Sequence, residues 1–122
     1  KETAHDDDVR AVITDGLDQL LISGSVKELR FWKCLKNELI GTLKMQNSVH
    51  KMVFFRSNNF LAVAMDNFQV DIIDVQSRKT VRRFVGHSAP ITDMVFDQNC
   101  QKLFVSSVRL ECIFDINIIS QN

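Results

Sequence analysis

The chain has 122 residues, 45% of them hydrophobic, and a formal net charge of zero from 15 basic and 15 acidic side chains. This apolar fraction is that of an ordinary globular protein, so the composition argues against disorder. The balanced charge provides no global reason to expect nucleic acid, a membrane surface or an acidic substrate as the partner. The longest unbroken apolar run, residues 60–65, is too short for a transmembrane helix.

The cysteines give no sign of a disulfide framework or a metal site. Cys34, Cys100 and Cys112 are odd in number and contain no C-x-x-C spacing, whereas zinc and disulfide scaffolds use closer or paired spacings. We therefore expect three small, partly buried hydrophobic side chains in a reducing compartment, and no metal or cofactor.

The predicted elements are all β-strands, because short runs rich in Val, Ile, Phe and Leu alternate with polar residues and end at turn-forming residues. In chain order, the first group of runs comprises residues 9–15, 20–25, 29–34 and 39–44. The second group comprises residues 49–55, 60–65, 69–75 and 80–85, and the third comprises residues 91–96, 102–107 and 110–116.

These groups are repeats of one unit. Phe31-Trp32-Lys33, Ile72-Ile73-Asp74 and Ile113-Phe114-Asp115 recur at intervals of 41 residues, and the runs before them align in the same register. Four short strands in every ~40–45 residues is the period of WD-type propeller blades. The sequence thus predicts an all-β fold, a WD40-type β-propeller fragment of about three four-stranded antiparallel blades. The blades span residues 9–44, 49–85 and 91–116, with the last incomplete, inside a single domain of residues 1–122.

Individual residues support a family resemblance. Gly86-His87 resembles the Gly-His opening of a WD repeat, Ile73-Asp74 and Phe114-Asp115 stand in its Trp-Asp position, and Trp32-Lys33 keeps only the Trp. Ala4-His5 is a second site of the Gly-His type. Residues 15–20, 29–33, 61–66 and 74–87 are further similar to the WD-repeat protein family associated with the U-three small nucleolar ribonucleoprotein, and the resemblance covers residues 4–107.

The resemblance implies two tandem propellers, a C-terminal helical region and a nucleolar location. It implies a scaffold role in the small-subunit processome, in which the protein contacts other WD-repeat and processome proteins while ribosomal RNA matures. Three blades cannot close a ring, so we expect the rest of the propeller to be needed for closure.

The resemblance also implies structural roles for several polar residues. In a WD blade, a loop His bonds a hydroxyl of the second strand, which in turn bonds the indole N–H of the third strand. The first repeat keeps His5, Ser23 or Ser25, and Trp32; the third keeps His87 and Ser106 or Ser107 but replaces the Trp with Phe114. The residues expected to be structural are His5, His87, Ser23, Trp32, Asp74 and Asp115.

No catalytic constellation is recognisable in the sequence. His50 has no Ser, Cys or carboxylate partner at a readable spacing, and no phosphate-binding loop or hydrolase motif is present. We therefore expect a protein that is not an enzyme. The alternative to the scaffold is a peptide-recognising WD40 adaptor, for example of a ubiquitin ligase, and an F-box-like helical segment elsewhere in the protein would favour it.

One dense basic cluster, formed by Arg78, Lys79, Arg82 and Arg83, falls on a predicted turn and outermost strand. One role is to prevent an exposed strand edge from pairing with other chains. The other role is contact with RNA phosphate or an acidic partner. The neutral chain and the lack of nearby stacking aromatic residues favour the first role.

Overall fold

Eleven β-strands account for most of the residues that the computed structural model describes, namely 8–15, 19–36, 38–55, 59–85, 88–99, 102–107 and, for the backbone alone, 111–115. The first group consists of β1 (Ala11–Thr14), β2 (Leu20–Gly24), β3 (Glu28–Lys33) and β4 (Glu38–Lys44). The second consists of β5 (Val49–Phe55), β6 (Phe60–Met65), β7 (Val70–Asp74) and β8 (Lys79–Phe84), and the third of β9 (Ile91–Phe96), β10 (Lys102–Ser107) and β11 (Glu111–Asp115).

Each group forms its own antiparallel sheet, with its strands in chain order. We call these sheets blade 1 (β1–β4), blade 2 (β5–β8) and blade 3 (β9–β11). The all-β, bladed fold class predicted from the repeat is therefore confirmed. The strand bounds differ from the predicted ones by at most two residues at either end. Sequence patterns did not predict the 3-10 turn at Cys34–Lys36, the one helical segment in the described part of the chain. No helix in that part is long and apolar enough to cross a membrane.

The first strands of successive blades lie side by side. β1 contacts β5, and β5 contacts β9, while β4 and β8 lie at the far edges of their sheets. The blades therefore diverge from a common line of inner strands, which is how a propeller arranges its sheets.

Two separate hydrophobic cores fill the spaces between the blades. One core joins blades 1 and 2 through side chains such as Phe31 and Leu61, and the other joins blades 2 and 3 through side chains such as Ile72 and Leu103. All six residues of β6 are buried, because both of its faces are covered by neighbouring blades. A tilted contact between the rings of Phe55 and Phe96, 5.6 Å apart, adds to the second core.

β-bulges recur at equivalent positions in the repeat. In the outer strands, Ile40 of β4 and Val81 of β8 are the unpaired residues. In the inner strands, His50 of β5 and Thr92 of β9 are unpaired. A bulge bends its strand and re-aims a side chain. The outer bulges therefore disfavour pairing at the sheet edge, and the inner bulges redirect one residue in each of blades 2 and 3.

Two glycines at blade contacts provide a matched test of packing. A Cβ on Gly24 would lie 2.8 Å from Cγ1 of Val49, a rigid and fully buried side chain, whereas a Cβ on Gly41 would meet the flexible end of the Arg78 side chain. We expect Gly24→Ala to destabilise the intact propeller by about 1–3 kcal/mol, because blades 1 and 2 must move apart. Gly41→Ala is expected to change stability by less than about 0.5 kcal/mol. Urea unfolding of the two variants checks this, and equal costs would contradict it.

Candidate functional site

The described polar residues of blade 1 bond one another across its strands. The indole N–H of Trp32 donates to the hydroxyl of Ser23 at 3.1 Å, and Ser23 is 3% exposed. The sequence left Ser23 and Ser25 as alternatives for this bond. Ser25 instead closes the β2–β3 turn, where its hydroxyl donates to the carbonyl of Glu28 and accepts from the N–H of Lys27.

Asp74 organises the turn that follows β7. Its Oδ1 accepts a hydrogen bond from the N–H of Gln76 at 3.0 Å, and its carbonyl accepts from the N–H of Arg78 at 2.7 Å. Arg78 ends the turn with a φ of 56°, in the left-handed region. Asp74 therefore fixes the geometry of the turn that carries the first residue of the basic cluster.

Three of the other predicted structural residues have no described side chain. His5 and His87 lie outside the described residues. Asp115 lies on β11 opposite Lys102, but its side chain is outside the described part of the structure.

The basic cluster occupies the turn after β7 and strand β8, the outermost strand of blade 2. Arg83 makes two bonds to the carboxylate of Asp71 on the neighbouring strand β7, at 2.9 and 3.1 Å. Asp71 is 1% exposed, so this is a buried carboxylate held by one guanidinium. The hydrogen bond to Asp71, and then its negative charge, raise the pKa of Arg83 above its ordinary value, although burial opposes the change.

The remaining members of the cluster have different environments. The guanidinium of Arg82 lies 5.3 Å from the ring centroid of Phe84, a cation–π distance. The expectation that no aromatic side chain lies near the cluster is therefore wrong. The Arg78 side chain packs against Gly41 of blade 1, while Lys79 is exposed. The four charges are therefore neighbours in sequence that point in different directions, since successive residues of a strand face opposite sides.

Sequence reasoning missed the partner of Arg83. Asp71 lies between Val70 and Ile72 in β7, and the register of the β7–β8 hairpin places it directly opposite Arg83. A buried Asp in an apolar run, facing an Arg across a predicted hairpin, is a signal that was available in the sequence.

The sequence shows no carboxylate at a recognisable spacing from His50, but the fold brings Asp66 close to its ring. Nδ1 of His50 lies 3.9 Å from Oδ1 of Asp66, and its Nε2 lies 3.0 Å from the carbonyl oxygen of Ile91 in blade 3. Asp66 also accepts a bond from Arg10 at 3.1 Å, so residues of all three blades meet here. The spacing could not reveal this cluster, because it depends on how the sheets pack.

Metal-binding chemistry has no candidate in the part of the chain that the structure describes. Within residues 8–15, 19–36, 38–55, 59–85, 88–99 and 102–107, no three His, Cys, Asp or Glu side chains group together in an arrangement that would hold a metal ion. The described polar clusters instead link strands and blades.

The sheets, their shared inner strands and the 41-residue repeat define a WD-type β-propeller segment. Residues 1–118 match the model of the family described as the WDR36/Utp21 second β-propeller domain, and the chain belongs to this family. It is 35% identical over 113 residues to WD repeat-containing protein 36 of Homo sapiens, covering 92% of this chain and 12% of that protein.

Two fungal proteins are also similar. The U3 small nucleolar RNA-associated protein 21 homolog of Schizosaccharomyces pombe is 35% identical over 101 residues, which cover 82% of this chain and 11% of that protein. U3 small nucleolar RNA-associated protein 21 of Saccharomyces cerevisiae is 29% identical over 112 residues, which cover 91% of this chain and 12% of that protein. The chain therefore spans only a small part of the relatives that it matches.

Proposed function

We propose that the protein containing this chain is a non-catalytic scaffold in the assembly of the small ribosomal subunit, acting in the nucleolus as part of the processome. The observation that carries this proposal is membership of the WDR36/Utp21 propeller family, two of whose similar relatives are named for association with the U3 small nucleolar RNA. Its proposed partners are other WD-repeat and processome proteins.

The chemistry of the described residues supports a scaffold rather than a catalyst. The Trp32–Ser23 bond and the Asp71–Arg83 pair each connect neighbouring strands, and the Arg10–Asp66 and His50–Ile91 bonds connect blades. Such bonds make the blades rigid, because a movement that breaks one leaves a buried polar group without a partner. That loss costs about 1–3 kcal/mol. A rigid propeller can present its loops, rim and faces to several partners at once.

The proposed role predicts a defined cellular defect. Depletion of the whole protein should cause precursors of the small-subunit ribosomal RNA to accumulate, because a missing scaffold prevents the assembly in which they are processed. Normal processing would favour a peptide-recognising adaptor instead.

We further propose that the basic cluster serves mainly the structure of blade 2 and the protection of its outer edge. Arg83 is bonded to Asp71, Arg82 lies on Phe84, and Arg78 packs against blade 1. Charges on an outermost strand also prevent pairing with other chains. Phosphate contact would therefore depend on Lys79, which is exposed, and on Arg82, whose guanidinium lies on the ring of Phe84.

The double variant Lys79→Ala/Arg82→Ala tests this role without breaking the Asp71–Arg83 pair. We expect its affinity for a single-stranded RNA oligonucleotide to equal that of the unmodified protein within about twofold, with an increased tendency to aggregate. If the two side chains bind phosphates, affinity will fall for every RNA sequence. The slope of log K against log salt will then flatten by about one unit for each lost contact.

A further inference from the structure

A cleft of about 320 Å³ opens where the three blades meet. Its lining combines a polar cluster with an apolar wall and consists of Arg10, His50, Met65, Asp66, Phe68 and Pro90. Arg10 precedes β1, His50 lies near the start of β5, and Pro90 precedes β9, so the cleft lies where the inner strands begin.

The orientation of His50 determines what its second ring nitrogen can do. His50 is the bulged residue of β5, and its Nε2 lies 3.0 Å from the carbonyl oxygen of Ile91. A carbonyl only accepts hydrogen bonds, so Nε2 carries a proton. In the neutral imidazole, Nδ1 is then an acceptor with a lone pair, and it lies 3.9 Å from Oδ1 of Asp66.

Among the described contacts, Oδ1 is the carboxylate oxygen of Asp66 that faces this nitrogen. Its Oδ2 accepts from Arg10 at 3.1 Å, and its backbone N–H donates to the carbonyl of Ser48 at 2.9 Å. These bonds fix the turn and the carboxylate, and they leave Oδ1 facing His50. Two acceptors 3.9 Å apart are too distant for a direct hydrogen bond, but one donor atom fits between them at about 2.9 Å from each.

The wall beside these acceptors is aromatic and held in an unusual conformation. Phe68 has a φ of 71°, which is rare for a bulky side chain, and its N–H donates to the carbonyl of Met65 at 2.9 Å. Asn67 bonds both the backbone and the side chain of Gln69 and so stabilises the turn. Met65, 1% exposed, forms an apolar floor.

We propose that this cleft binds the side-chain ammonium of a lysine from a partner polypeptide. A carboxylate oxygen, an imidazole lone pair and an aromatic ring are the groups that stabilise an ammonium ion. The aliphatic stem of the lysine lies along Phe68 and Pro90. An anion would instead meet the carboxylate of Asp66 and the lone pair of His50. This inference rests on the proposed scaffold function and names the chemistry of one of its contacts.

Two substitutions separate lysine binding from a purely structural role. Asp66→Asn and Arg10→Gln break the same ion pair, so both remove any stabilisation that the pair provides. Only Asp66→Asn removes the negative charge from the cleft, whereas Arg10→Gln leaves Asp66 in place and removes a competing cation.

The experiment uses the intact protein and isothermal titration to millimolar concentrations of a capped Gly-Gly-Lys-Gly-Gly peptide. The control peptide replaces lysine with norleucine, which keeps the stem and lacks the ammonium. We expect the intact protein to prefer the lysine peptide. Asp66→Asn should weaken binding by about tenfold, as loss of a charged hydrogen bond does. Any loss in Arg10→Gln should be smaller, because Asp66 keeps its negative charge there.

Three outcomes would overturn the proposal. They are no preference for lysine over norleucine, equal loss in both variants, and loss in Arg10→Gln alone, which would indicate an anion site. Each is distinguishable from failure of the scaffold function, which is measured on precursor RNA. Normal RNA processing after depletion, together with intact lysine binding, would contradict the assembly role and leave the lysine-binding proposal standing.

Discussion

Replacing Arg83 with methionine is expected to destabilise the intact propeller by about 3 kcal/mol, because the carboxylate of Asp71 would stay buried without its partner. Asp71 is 1% exposed, and the guanidinium of Arg83 donates a hydrogen bond to each oxygen of its carboxylate. This destabilisation is at the lower end of the range for breaking a buried ion pair, since the Arg83 side chain is 37% exposed and water reaches the site. Urea unfolding measures the change.

Two further variants isolate the cause. Lys79→Met removes an exposed cation from the same strand and should change stability by less than about 0.5 kcal/mol. The double variant Asp71→Leu/Arg83→Met removes both charges and should recover most of the loss, because no buried charge remains. If Arg83→Met and Lys79→Met change the free energy of unfolding equally, the Asp71–Arg83 pair does not stabilise blade 2.

Residues 1–122 produced alone are expected to self-associate rather than remain a stable monomer. Val12 of blade 1 is 57% exposed, and Val95 and Phe104 of blade 3 are 54% and 42% exposed. Their chain neighbours point into the two cores, so these three side chains lie on the opposite, outward faces of the terminal blades. Net stability of a domain is only about 5–15 kcal/mol, and loss of burial between blades can remove it.

Light scattering and a thermal melt of the isolated chain check this expectation. Replacing Val12, Val95 and Phe104 with threonine should reduce association without affecting the cores, whereas Met94→Thr should disrupt the core between blades 2 and 3. A monomeric chain that melts in a sharp, cooperative transition would contradict the expectation and show that these blades fold without neighbours.

The strands were predictable because their signals are local. Alternation of apolar and polar residues marks each strand, turn residues mark its ends, and the 41-residue repeat shows where a unit recurs. β6 is the exception, because all six of its residues are apolar and buried, and the repeat rather than alternation marks it as a strand. The all-β bladed fold therefore followed from the sequence.

The polar contacts were less predictable because they depend on register and on packing between sheets. Arg82 and Arg83 are adjacent in sequence, yet one lies on Phe84 and the other on Asp71. Basic residues that are adjacent in this sequence therefore do not form one basic surface. The contacts of His50 with Asp66 and Ile91 span two blades, and no periodic pattern encodes the angle between sheets.

The measurement that tests the central claim most directly is the level of small-subunit precursor RNA after rapid depletion of the whole protein. We expect these precursors to accumulate and mature small-subunit RNA to fall, while maturation of the large-subunit RNA continues. Re-expression of the intact protein should restore processing. Normal precursor levels after complete depletion would contradict a scaffold role in ribosome assembly.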